Sequence, residues 1–208
     1  PVPLFYCPSR RAAVAYPSIF ERSYNADEPR VVAKTDYAGN GGSQIFLTVL
    51  PQITCLQKDP SCNWGVAEQH RDSAFDGITS AISEVYGRQL TDGTSNTLIL
   101  AEKFLNPRNY ETGRCGGDNN SLFQGHDRDI LRWVTQREEA AANFEKNFKE
   151  FMPQADTTEI DLGWSHRFGS AHAAGLNAAY ADGSVHTVSY EIDPRVYHAL
   201  GVRNDGLS

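Results

Sequence analysis

The dipeptide Asp182-Gly183 constrains this chain more than any other feature, because it joins two runs, GLNAAY and SVHTVSY, that both read as β-strands. Asp-Gly between strand-like runs is a strong hairpin signal, since glycine accepts the positive φ that a tight β-turn demands. Further strand candidates are the opening VPLFYC, the run that begins VVAKTDYA, the apolar run GITSAISEV and the stretch Thr97 to Phe104. Gly39, Gly41 and Gly42 read as a tight turn, and so do Asp76-Gly77 and Asp92-Gly93, where the following TSN offers hydroxyl and amide caps.

Two segments read as helical. Asp129 to Phe151 is rich in helix formers and carries Phe144, Phe148 and Phe151 at spacings of four and three, with Met152-Pro153 as its stop. Asp193-Pro194 reads as an N-cap followed by proline in the first turn, leading RVYHAL to Gly201 as the helix end. The fold class is therefore α+β: one domain over residues 1–208, an antiparallel sheet ending in a C-terminal β-hairpin, one or two packed helices, and loop-rich insertions near 52–71 and 106–159.

Charge and cysteine usage narrow the function classes. A formal charge of -7 with no clustered Lys/Arg run argues against nucleic acid, whose phosphates need such a surface. No stretch approaches the ~20 apolar residues of a spanning helix. Cys55 and Cys62 enclose the polar loop LQKDPS and can close a local disulfide in an oxidising compartment, leaving Cys7 and Cys115 as the remaining pair; the alternative is four reduced thiols. None of the four lies in a CxxC pair or near histidine at zinc-finger spacing, which argues against zinc.

Four pieces, in order along the chain, carry a resemblance. FYCPSR, TDYAGNGG, TDGTSNTLILAEK and RFGSAHAAGLNAAYADGSVHTVS are similar to the segments that mark the DUF1559 family, abundant in planctomycetes, in which a histidine precedes Asp-Gly with nine residues between. Here the pair is His172 and Asp182-Gly183, with Asn177 between them and Asp92, Gly93 and Asn96 in the internal segment. The resemblance implies a pilin- or pseudopilin-like fold and a precursor with a prepilin-type leader and one long hydrophobic helix. That helix would anchor in the inner membrane or pack in a filament core. The chain opens on PVPLFYCPS without an initiator Met, so such a segment is expected upstream.

The function the resemblance implies is structural: a subunit assembled in, or displayed from, the bacterial cell envelope, extracellular or periplasmic. Its partners would be copies of itself or pilus and secretion-system components reached through that helix, which also supplies the only membrane contact. No enzymatic activity is expected. His172 and Asp182 form half of a hydrolytic triad, but Ser170 and Ser184 lack an elbow or oxyanion-hole motif, and His172 is better read as pinning the segment before the hairpin to its Asp-Gly turn.

Calcium is the ion expected if there is one, because pseudopilins commonly hold it in a C-terminal loop and Asp118, Asn119, Asn120, Asp127 and Asp129 supply hard oxygen ligands within Gly-rich loops. A cluster of His166, His172 and His186 across the hairpin is a weaker metal reading. The other function class is an extracellular solute- or glycan-binding module, with Trp64, Trp133 and Trp164 as stacking residues; core packing explains the same tryptophans.

Overall fold

The chain is described by a computed structural model that covers residues 1–19, 27–45, 75–80, 83–135, 150–158 and 166–206. Its organising element is the expected hairpin. Strands β8 (Gly175–Tyr180) and β9 (Val185–Ser189) pair antiparallel, with Ala179 opposite Val185. The turn closes through Gly183 N donating to Tyr180 O, and Gly183 has φ +87°, the left-handed conformation that glycine adopts without a Cβ clash.

Around the hairpin a five-stranded sheet runs in the order β5-β3-β4-β8-β9. Strands β3 (Tyr37–Asn40) and β4 (Leu98–Glu102) are antiparallel to each other, and β4 is antiparallel to β8. Strand β5 (Leu131–Arg132) instead lies parallel to β3, so the sheet is mixed where an antiparallel one was expected. Two small pairs flank it: β1 (Tyr16–Pro17) with β2 (Val31–Val32), and β6 (Gln154–Ala155) with β7 (Gly169–Ser170). With helix α1 (Pro194–Gly201) the class is α+β. Asp193 caps α1, its carboxylate accepting from Arg195 N and Val196 N, and Pro194 opens the first turn as its sequence implied.

Alternation along the strands gives the sheet two faces. Leu176, Ala178 and Tyr180 of β8 point inward with Ala38, Leu98 and Val188, and meet Phe168, Val134 and Tyr197 of α1 to form the main core. Asn40, fully buried, ties this face together: its amide donates to Leu98 O and to Gly201 O at the end of α1, each at 2.8 Å.

Four local expectations differ. VPLFYC is no buried strand: Pro3–Phe5 forms a 3-10 turn that leaves Leu4 and Phe5 exposed, because proline fixes φ and only Tyr6 and Cys7 turn inward. Of the glycine cluster, Gly39 lies in β3 and only Gly42 takes positive φ. The described part of GITSAISEV forms no strand. The helix expected from Asp129 does not start there, since Leu131–Arg132 is drawn into the sheet beside β3. Of its aromatic stripe, Phe144 and Phe148 lie outside the described residues, while Phe151 is buried against Leu131 and Trp133.

Candidate functional site

Three segments that carry the family resemblance meet at one end of β4. Glu102 closes that strand and is 1% exposed; its Oε2 accepts a 2.8 Å hydrogen bond from Asn177 N in β8. Its Oε1 is buried, accepts no hydrogen bond, and lies 3.2 Å from His172 Nε2. Cys7, 2% exposed, follows the 3-10 turn and is held by Asp36 Oδ2, which accepts from its backbone N at 2.8 Å. The Cys7 Sγ lies 3.7 Å from the same His172 Nε2. Sulfur, imidazole nitrogen and carboxylate oxygen all fall within 4.8 Å of one another.

The imidazole is positioned by its own loop. Ser170 Oγ accepts from His172 N at 2.9 Å and bonds Gly175 O across the loop, while the Tyr190 hydroxyl donates to His172 O at 2.8 Å. Cys7 next to a histidine invites comparison with a thiol nucleophile, which must be a thiolate open to substrate. Here burial pushes the Cys7 thiol up, the Glu102 carboxylate adds to that shift, and the sulfur is enclosed.

Beside this cluster lies a buried ionic layer. Asp36 Oδ1 is 2.7 Å from Arg11 and 3.3 Å from Arg10, with all three side chains 0% exposed. Arg10 Nε also donates to Asp156 at 2.9 Å, and Asp118 binds Arg11 and Lys103. Burial alone would raise the Asp118 carboxyl, but Lys103 and Arg11 override it and bring it down to about 2. Asp129 goes the other way, pushed up to about 7 by burial, with Lys103 working against the shift.

The outward side of the sheet has a different chemistry. Leu4, Phe5, Tyr37, Leu100, Ala179 and Val185 line a groove of about 660 Å³, edged by the polar Thr35 and Asn177. Leu4, Leu100 and Val185 are exposed. Antiparallel strands that face water normally alternate to polar residues on that side, and here the outer face is apolar instead.

The remaining sequence candidates fall as follows. His172 does not reach the Asp-Gly turn: Asp182 Oδ1 accepts from Ser184 N and Ser184 Oγ, and that bond set holds its carboxyl down. The hairpin turn is docked instead by the internal signature, with Asp182 N donating to Thr94 O and Ala181 N to Thr97 O. Asn96 caps its own loop through Asp92 O, Gly93 has φ +95°, and the Asp92 carboxylate accepts from Asp205 N and Gly206 N. Asn177 presents its side chain at the groove, where the Thr187 hydroxyl lies 3.4 Å away.

Of the calcium candidates, Asp118 is taken by Arg11 and Lys103, Asn120 O by Lys34, and Asp129 accepts from Asn120. Asp127 accepts from Asp129 N, and Asn119 donates to Asn120. The three histidines do not gather, for His166 packs on Trp133 and Phe151 and His186 on Tyr180. Cys7 and Cys115 are both free and buried in this structure, Cys7 at the His172 pocket and Cys115 near Arg132 and Asp118, as in the reading that left the thiols reduced. Cys55, Cys62, Trp64 and Trp164 lie outside the described residues, and Trp133 is a core residue. Among the described residues no helix is long and apolar enough to cross a membrane.

A family model described as "Protein of unknown function (DUF1559)" matches residues 1–195. No curated protein and no solved structure matches the chain.

Proposed function

We propose that this chain, which belongs to the DUF1559 family, is the displayed domain of a pilin- or pseudopilin-like structural subunit of the bacterial cell envelope, whose apolar outer sheet face receives a hydrophobic N-terminal helix. The observation that supports this reading is the groove between the 3-10 turn and β9, with Leu4, Phe5, Leu100 and Val185 turned toward solvent. An α-helix about 10–12 Å across laid on such a face removes its apolar surface from water, at roughly 25 cal/mol for each Å² covered. The role asks no reaction of the chain. It places the chain outside the cytoplasm, with self-assembly or secretion-system components as partners.

The groove also has the size of a small-molecule site, which keeps a solute-binding module as the second reading. Its lining is apolar apart from Thr35, Asn177 and the Tyr37 hydroxyl, with Phe5 and Tyr37 the only aromatic rings among the described lining residues, so an apolar solute suits it better than a sugar, whose rings need flat aromatic platforms and several convergent polar groups. One double substitution separates the two. In the protein as its cell makes it, Leu100→Asp with Val185→Asp is expected to abolish surface assembly, while the stability of the isolated chain changes by no more than about 0.5 kcal/mol per site, as for exposed positions. Normal assembly of that variant, with loss of binding to an apolar dye, would favour the solute reading and overturn the structural one.

A further inference from the structure

We propose that Cys7, Glu102 and His172 form a binding site for one zinc ion, with a fourth coordination position open on the exposed side of the imidazole. Thiolate, imidazole and carboxylate are three of the side-chain donors that zinc accepts, and three protein ligands with one open position is the arrangement of its exchangeable sites. Tetrahedral zinc with bonds of about 2.3 Å to sulfur and about 2.0–2.1 Å to nitrogen and oxygen puts S and N about 3.6 Å apart and N and O about 3.3 Å apart. The corresponding distances here are 3.7 Å and 3.2 Å.

A second observation concerns the carboxylate itself. Glu102 is 1% exposed, yet its Oε1 accepts no hydrogen bond and faces the other two donors. The groups within its reach are the His172 imidazole at 3.2 Å and the Cys7 thiol, a weak donor, so this buried carboxylate oxygen is poorly satisfied, a state that folded proteins rarely leave uncompensated. A cation between the three groups would satisfy it.

The outer contacts are those that a ligated set needs. Asp36 fixes the Cys7 backbone, Asn177 N holds the second oxygen of Glu102, and Ser170 with Tyr190 sets the His172 loop. The side chain of His172 is 37% exposed, so an ion can enter from that side. On binding, the Cys7 S–H gives its proton to solvent and the sulfur ligates as thiolate, which makes uptake pH-dependent. The ion would join the amino-terminal segment, the central sheet and the loop before the hairpin, and this holds whether or not the sheet face receives a helix.

The test is cobalt(II) titration of the chelator-treated, reduced chain in a Cys55→Ser, Cys62→Ser background, which removes the two other thiols outside the buried pair. One equivalent is expected to give a thiolate-to-cobalt charge-transfer band that zinc bleaches. Cys7→Ser removes that band, and Glu102→Gln and His172→Ala each weaken binding by more than the roughly 10–100-fold that loss of an outer-shell partner costs. His172→Ala alters a partly exposed side chain and leaves the fold intact by circular dichroism, so it decides the matter if Cys7→Ser fails to fold. Absence of the band, its persistence in Cys7→Ser, or an unchanged affinity in His172→Ala would each overturn the site.

Discussion

Asp36→Ala is expected to destabilise the chain by roughly 3–5 kcal/mol, the cost of removing one partner from a buried ion network. The reason is local. Asp36 faces both Arg10 and Arg11 at zero side-chain exposure and also holds the backbone N of Cys7. Arg10 keeps Asp156, and Arg11 keeps Asp118, so neither guanidinium is left bare, but each loses one carboxylate at a position of zero side-chain exposure. Urea denaturation followed by tryptophan fluorescence reads the effect as a lower midpoint at unchanged slope. Asp36→Asn, which keeps the shape and an acceptor for Cys7, is expected to fall between wild type and alanine. A loss below about 1 kcal/mol for Asp36→Ala would mean that the layer is solvated and contributes as little as a surface pair.

The second large effect is acid sensitivity confined to low pH. Asp118 sits at about 2 in the fold against about 4 in an unfolded chain, so its contribution is complete above pH 4 and is lost as pH falls toward 2, worth roughly 2 kcal/mol. Between pH 7 and 4 opposing groups offset one another. His166, brought down to about 4 by burial with Arg128 and Arg132 adding to it, and His126, lowered by burial, favour the fold as pH rises, because the unfolded chain holds their protons more tightly. Asp129 and Asp156, both raised by burial, favour it as pH falls. Urea midpoints are therefore expected to be nearly level from pH 7 to 4 and to drop steeply below, and Asp118→Asn to lose most of the steep part. A full loss of stability by pH 5 would contradict this assignment.

Legibility in the sequence followed the range of the signal. The β8–β9 hairpin, α1 with its Asp193 cap, and β4 were readable because each is set by adjacent residues: an Asp-Gly turn, an Asp-Pro start, an apolar run. Strand β5 was not, since Leu131–Arg132 lies in a helix-forming stretch and becomes a strand only through parallel pairing with β3. Nothing local in the sequence marks Arg10 and Arg11 as buried. Their partners Asp36, Asp118 and Asp156 are distant in sequence, and a charged side chain is buried only where such partners are assembled.

The same limit hid the Cys7, Glu102 and His172 cluster. Local spacing argued against zinc because it compares neighbours in the chain, whereas Cys7 and His172 are separated by 165 positions and meet only after the sheet forms. One signal was present: the CPS, LILAEK and RFGSAH pieces that carry the resemblance each contribute one member. His172 was singled out with the wrong partner, because Asp182 is close in sequence while its carboxylate is occupied by Ser184.

The structural role rests on the outer sheet face being covered in the assembled protein, and accessibility at that face tests it most directly. With Leu100→Cys and Val185→Cys introduced singly, a membrane-impermeant maleimide applied to intact cells is expected to leave both positions unlabelled above the background of the native cysteines. The same reagent on the isolated chain should label both to completion. Equal labelling in the two settings would show that nothing packs on the groove, and would contradict the proposed role.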